Sequence, residues 1–322
     1  MTEPRLTSVR MPRIRLRVAE RGEGPLVLLL HGWPESWYSW RHQLPWIAGL
    51  GYRAVAPDMR GYGGSDAPQA VEAYAMRELC ADVVGLIDHY GARDAVLVGH
   101  DWGAIVAWSC ALLAPERVSA VIALSVPHAG RAALPPTQAL RARFGENFYY
   151  VLYFQEPGLA EAEFDADPHA ILSRLYASPD TPREEPRTRD RKRSAGGWTD
   201  RLGAPKELPG WLTPDDLAYY VDEFTRSGFR SGIHYYRNLD RNWHDTPELA
   251  GAQLAQPAYF IAGARDVVIG GHDAAWLEKL MRPAVPKLRR IELLPRIGHW
   301  VQQESPQPVN LLLREFLAEL QP

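Results

Sequence analysis

The run Gly99-His100-Asp101-Trp102-Gly103 sets an aspartate between two glycines, each two positions away. A nucleophile on a tight strand-to-helix turn needs this spacing, because only small residues fit two positions to either side of it. Alone the pattern is weak, since turns are rich in Gly and Asp. Its flanks strengthen it: Asp94–Val98 reads as a buried strand and Ala104–Leu113 as a helix. The helix start brings backbone N–H groups beside the aspartate. A carboxyl with a reference pKa of about 3.9 is already ionised at neutral pH. It can attack an sp³ carbon directly and form an ester with it, whereas a serine would first need a base. Asp101 in this slot therefore points to displacement at carbon, as in epoxide opening or dehalogenation.

A nucleophile on such a turn is followed along the chain by an acid and then a histidine. The strand Lys287–Leu294 leads into Ile297-Gly298-His299-Trp300, so His299 is the candidate base. The strand Pro257–Ala262 leads into Gly263-Ala264-Arg265-Asp266, so Asp266 is the candidate partner that orients it. The other slot for an acid follows Val118–Ser125, and there the chain reads Val126-Pro127-His128 with no carboxylate. After the strand Pro25–Leu30 comes His31-Gly32-Trp33-Pro34. The backbone amides of Trp33 and Trp102 are the expected oxyanion donors. Pro34 has no N–H to give. His31 is expected to hold the loop, and His100 has no evident chemical task.

These residues need a frame. Arg13–Glu20 alternates like a strand, and the short runs Pro25–Leu30, Arg53–Ala56, Asp94–Val98 and Val118–Ser125 also read as strands. Helical spacing at Trp37–Leu50, Met76–Tyr90 and Ala104–Leu113 alternates with them. Repeated β-α units with apolar strands imply a parallel sheet covered on both faces. The rhythm stops from about Gly130 to His244, an aromatic and Pro-rich stretch with helical pieces. It resumes with strands Pro257–Ala262 and Lys287–Leu294 and helices Asp273–Met281 and Pro308–Leu320. The fold class is thus α/β: a mostly parallel sheet, helices on both faces, and a mainly helical insertion. Residues 1–130 and 245–322 form the two parts of the core and residues 131–244 form a helical cap. Within the cap, Thr181–Ser194 (TPREEPRTRDRKRS) is so charged that it reads as a solvated loop.

Composition narrows the function classes. Of 322 residues, 46% are hydrophobic and 23% charged, which suits a soluble globular protein. A net charge of -3 gives no electrostatic case for nucleic acid or an anionic membrane. No apolar run is long enough to span a bilayer, and the N-terminus shows no signal peptide. The two cysteines, Cys80 and Cys110, lie in helical patterns and read as buried thiols, consistent with the cytoplasm. No Cys/His spacing suggests a metal, and no organic cofactor is expected.

Taken together, these motifs resemble the epoxide hydrolases of the α/β-hydrolase fold over nearly the whole chain. The segments that carry the resemblance are HGWP at His31, DMRGYGGSD at Asp58–Asp66, GHDWG at Gly99 and GHW at Gly298. The most specific are LYFQEPG at Leu152–Gly158 and YRNLDRNW at Tyr236–Trp243, which look like cap segments of soluble epoxide hydrolases. In that family two cap tyrosines face the epoxide oxygen, and the matching positions are Tyr150 and Tyr236. Spacing alone does not select them over Tyr149, Tyr153 and Tyr235. The resemblance implies a small apolar epoxide and water as substrates, a vicinal diol as product, and a monomer or homodimer. Two other readings compete. A haloalkane dehalogenase would share Asp101 and Trp102, but that family commonly has Asn where this chain has Trp33. A non-catalytic binding module on the same scaffold commonly lacks part of the triad, and here all three members are present.

Overall fold

The structure is a computed structural model that describes residues 3–320. Leu26–Leu30 is Leu-Val-Leu-Leu-Leu, an uninterrupted apolar strand, because both of its faces are covered. Val27 and Leu29 pack on one side of the sheet with Leu313 and Phe316, while Leu28 and Leu30 pack on the other with Leu79 and Val106. The strands are β1 (Arg5–Arg10), β2 (Arg15–Arg21), β3 (Leu26–Leu30), β4 (Arg53–Pro57), β5 (Ala95–His100), β6 (Val118–Leu124), β7 (Ala258–Gly263) and β8 (Leu288–Leu294). Their order across the sheet is β1-β2-β4-β3-β5-β6-β7-β8. The pairs β1/β2 and β2/β4 are antiparallel and all others parallel.

Helices α1 (Gln43–Gly49), α2 (Met76–His89), α3 (Trp102–Leu113), α12 (Ala274–Met281), α13 (Val301–Glu304) and α14 (Pro306–Glu319) belong to the β-α framework. Between β6 and β7 the chain forms α4 (Pro136–Phe144), α5 (Tyr150–Tyr153), α6 (Leu159–Ala166), α7 (Pro168–Leu175), α8 (Trp198–Arg201), α9 (Pro214–Ser227), α10 (Arg230–Arg237) and α11 (Leu239–Asp245). No described helix is long and apolar enough to cross a membrane.

Two local expectations need correction. β1 is an edge strand the sequence pattern does not reveal: Arg-Leu-Thr-Ser-Val-Arg buries only Val9, so no clear alternation marks it. Trp37–Leu50 is not one helix. A 3-10 turn at Trp37–Trp40 is followed by a separate α1. Pro45 explains the break, because a helix running on from Trp37 would place its ring against the Arg41 carbonyl and lose one hydrogen bond. Thr181–Ser194 is largely exposed, as expected, but its main chain is tied down. The Phe148 amide donates to the Arg191 carbonyl (2.7 Å) and the Glu184 amide to the Ala204 carbonyl (2.8 Å).

Helix α9 shows how the insertion is built and attached. Thr213 caps it, bonding the Asp216 amide (3.1 Å), while Asp216 accepts from the Thr213 amide (2.9 Å). Pro214 opens the helix, where a missing N–H costs nothing. Leu217, Tyr220 and Phe224 form its buried stripe. Asp216 also accepts from the Tyr38 hydroxyl (2.9 Å) and pairs with Arg41 (3.1 Å), so the cap of one helix is a bridge to the core. Further bridges run from the Tyr235 hydroxyl to the Arg60 carbonyl (2.9 Å) and from the Met76 amide to Asn242 (2.7 Å). Asp216→Ala removes several charge-assisted bonds at once and is expected to cost about 2 kcal/mol. Urea unfolding followed by circular dichroism checks this, and an unchanged midpoint would contradict the bridging role.

Candidate active site

The parallel register pairs Leu30 with Gly99 and His100 with Leu124, so the loops after β3, β5 and β6 leave the sheet side by side. Asp101 stands on the turn after β5, with φ 51° and ψ -118°, a left-handed backbone rarely adopted by non-glycine residues. The turn is crowded. A Cβ on Gly103 would meet the Leu30 carbonyl oxygen at 1.9 Å, and one on Gly99 the Gly103 carbonyl oxygen at 2.2 Å. A Cβ on Gly32 would lie 2.4 Å from the Asp101 Cβ. The glycines around Asp101 are therefore a steric requirement, as their spacing implies.

The Trp33 amide donates to Asp101 Oδ1 (2.9 Å). Trp102, the residue after Asp101, opens α3, so its amide has no partner within the helix. His299, on the loop after β8, brings Nε2 to 3.7 Å from Asp101 Oδ2. Its Nδ1 lies 3.0 and 3.1 Å from the two oxygens of Asp266, on the loop after β7. Asp266 is buried and also accepts from the Val268 amide (2.8 Å). Burial disfavours the His299 cation, but the charges and hydrogen bonds of Asp266 and Asp101 outweigh it and hold the imidazole well above its usual pKa. Burial likewise disfavours both carboxylates. His299, helped by the Trp33 amide at Asp101 and the Val268 amide at Asp266, nevertheless holds both below the usual range.

Sequence reasoning missed three supports. Glu35, fully buried, accepts from the Gly32 amide (2.8 Å), Gln302 Nε2 (3.0 Å) and Gln303 Nε2 (3.1 Å), and contacts His100 Nδ1 (2.7 Å). Burial pushes its carboxyl pKa up, but His100, with His31 and the Gly32 amide, brings it below the usual range. His100 in turn bonds the His299 carbonyl through Nε2 (2.8 Å), which supplies the task its sequence position left open. Ser125, at φ 69°, donates to the same carbonyl (2.8 Å). Glu35 directly follows Pro34, and a carboxylate inside an apolar loop was the available signal. No spacing marks Ser125. His31 holds its loop, its Nε2 accepting from the Met59 amide (2.9 Å).

Above Asp101 is a cavity of about 140 Å³ whose lining includes Trp33, Tyr150, Trp198, Tyr236 and His299. Tyr150 opens α5 and Tyr236 lies near the end of α10, with ring centroids 5.8 Å apart. The Trp102 ring meets Tyr236 edge-on, with centroids 5.0 Å apart. Burial, reinforced by the negative charge of Asp101, pushes both phenols up, so both remain protonated donors at neutral pH. The neighbouring tyrosines are engaged elsewhere. Tyr149 stacks on Phe144 (4.1 Å), the Tyr153 hydroxyl bonds Glu163, and Tyr235 bonds Arg60. Among the described residues no group of three His, Cys, Asp or Glu side chains could hold a metal ion.

Residues 25–306 match the family model for the alpha/beta hydrolase fold. Epoxide hydrolase A of Mycobacterium tuberculosis is 48% identical over 96% of this chain and 95% of its own. Epoxide hydrolase 1 of Siraitia grosvenorii is 38% identical over 95% of this chain and 96% of its own. The crystal structure of epoxide hydrolase A from Mycobacterium thermoresistibile superposes with a TM-score of 0.89 at 48% identity, covering 98% of each chain. With a fold, a site and whole-length similarity in agreement, this chain belongs to the epoxide hydrolases of the α/β-hydrolase fold.

Proposed function

We propose that this enzyme converts an epoxide and water to a vicinal diol through a covalent ester on Asp101. The observation that carries the reading is one cavity holding a single carboxylate, Asp101, opposite two protonated phenols, Tyr150 and Tyr236. Residues 131–244 serve as the cap that delivers those phenols. An ionised carboxylate attacks the ring carbon, and the C–O bond that breaks leaves an alkoxide. Tyr150 and Tyr236 stabilise the alkoxide, and one of them gives it a proton. The proton on resting His299 restores that phenol, which leaves His299 neutral. His299, oriented by Asp266, then takes a proton from water, and the hydroxide adds to the Asp101 ester carbonyl. The Trp33 and Trp102 amides hold the resulting oxyanion. Its collapse expels the diol oxygen, which takes the acid proton, and Asp101 returns as carboxylate. The dehalogenase reading has no use for the paired phenols. Two free, buried thiols support a cytoplasmic setting.

The charges time the two steps. Esterification removes the negative charge 3.7 Å from His299 Nε2, one of the causes that raise its pKa. The imidazole therefore becomes a free base only once there is an ester to hydrolyse.

Tyr150→Phe and Tyr236→Phe are each expected to slow ring opening, by about 10²-fold or more, and the double variant to slow it further without simple additivity. Single-turnover quench measurements check this, and two unaffected single variants would show that other groups do the work. His299→Gln should still be alkylated but not hydrolyse the ester. Intact-protein mass spectrometry should find one substrate mass added, on the peptide containing Asp101. An adduct elsewhere, or wild-type turnover, would overturn the mechanism.

The pH dependence has a definite sign. The depressed pKa of Asp101 keeps it ionised into mild acid, so alkylation persists there. Hydrolysis needs neutral His299 and falls as pH drops through its value in the ester. Below neutrality the wild-type enzyme should accumulate the same adduct during turnover. Rapid-quench mass spectrometry across pH reads this out, and an adduct that grows with rising pH would contradict it.

A further inference from the structure

The active-site cavity is small, and one thin wall divides it from a much larger space. A void of about 150 Å³ accommodates one benzene. This cavity has about 140 Å³. On the outer side of the insertion lies a groove of about 1000 Å³. Leu175 lines the cavity, while the preceding Arg174 lines the groove. Trp198 lines the cavity, while the following Thr199 and Asp200 line the groove. The end of α7 and the short α8 thus form the partition. The route from solvent lies elsewhere, past Val267 and Val268, which also line the cavity and are 86% and 43% exposed.

The Trp198 indole is held firmly in this partition. It stacks on Tyr150 (4.7 Å, 17°) and on Trp33 (5.7 Å, 9°), with Phe154 edge-on at 5.6 Å. Its amide and that of Thr199 donate to Glu163. Gly197 lets the chain pass, since a Cβ there would lie 2.2 Å from Glu163 Oε2. Upstream, the charged stretch that ends at Ser194 is pinned to the start of the insertion. The Phe148 amide bonds the Arg191 carbonyl (2.7 Å), and the Arg193 amide bonds the Glu146 carbonyl (2.8 Å). The stretch that looked like an idle solvated loop is therefore the arm that carries Trp198.

We infer that Trp198 determines specificity: it restricts the enzyme to epoxides with one large apolar substituent and excludes those with a ring-sized group on each carbon. This rests on the epoxide-opening role proposed for Asp101. With the oxirane held between Asp101 and the phenols, one substituent can extend toward the mouth at Val267 and Val268. A second one has only the Trp198 wall in front of it. Replacing the indole by a methyl group joins the cavity to the groove and gives that second substituent room.

Styrene oxide and trans-stilbene oxide test this, because they differ by one phenyl ring on the second carbon. The wild-type enzyme should favour styrene oxide in kcat/KM by about 10²-fold. Trp198→Ala should lower that ratio at least about tenfold, and Trp198→Phe, which keeps a ring in the wall, should retain most of it. An unchanged ratio in Trp198→Ala, or a wild-type enzyme that opens both epoxides equally well, overturns the inference while leaving the Asp101 mechanism intact. Failure of the wild-type enzyme to open any epoxide overturns the mechanism and the inference together. Should Trp198→Ala not fold, His299→Gln with its native wall still decides. Its Asp101 adduct should form with styrene oxide and not with trans-stilbene oxide, and equal labelling by both would overturn the inference.

Discussion

Two carboxylates face one largely buried imidazole, and most of the surrounding structure answers to that charge balance. Asp101 and Asp266 are each disfavoured by burial and each kept ionised by His299. Leaving one partner of such a buried pair uncompensated costs about 3–5 kcal/mol. The imidazole must therefore be fixed by something other than its two ion partners. Glu35, His100 and Ser125 supply this by holding the His299 main chain, His100 and Ser125 at its carbonyl and Glu35 behind His100. Burial, with the negative charge of Asp101 added, also holds the Tyr150 and Tyr236 phenols protonated.

The carboxylates and the phenols come from different parts of the chain, so their mutual geometry depends on how the insertion sits on the sheet. That seat is polar and specific. Tyr235, adjacent to Tyr236, anchors α10 to the Arg60 carbonyl, and Asp216 anchors α9 to Tyr38 and Arg41. Arg17 of β2 pairs with Glu223 of α9 (2.7 Å). Such contacts fix orientation through directional bonds, which apolar packing alone does less well. The proposed mechanism needs that, because a phenol displaced by an ångström no longer reaches the alkoxide.

The sequence revealed the reacting core through constraints that act over short distances. Crowding around Asp101 demands glycines at fixed offsets, so Gly99 and Gly103 expose the turn. Chain order after the turn then exposes Asp266 and His299. The parallel strands are legible because burial on both faces makes them apolar throughout. Glu35, His100 and Ser125 were not legible, since their roles arise where loops from four strands meet and no local pattern records that. Tyr150 and Tyr236 stood in the same position. Their separation along the chain carries no periodic signal, and only similarity to a known family distinguished them from Tyr149, Tyr153 and Tyr235. The structure gives the physical distinction: those three have other partners, while Tyr150 and Tyr236 share the cavity with Asp101.

This division has a consequence for how such a chain can change. The turn at Asp101 tolerates almost nothing, because a single added methyl at Gly103 collides with the Leu30 backbone. The arm that ends at Trp198 is more permissive over Thr181–Ser194, which is largely exposed and held in part through backbone bonds that do not depend on side-chain identity, although Gly197 at its end has no room for a Cβ. Substitutions there can reshape the cavity wall while the carboxylates, the imidazole and the oxyanion amides stay in register on the sheet. In the proposed mechanism the carboxylates, the imidazole and the oxyanion amides thus stand at the ends of β3, β5, β7 and β8, while the phenols come from the insertion. If Trp198 sets the choice of substrate as inferred, that choice falls to a segment separate from the strand ends that hold Asp101, Asp266 and His299.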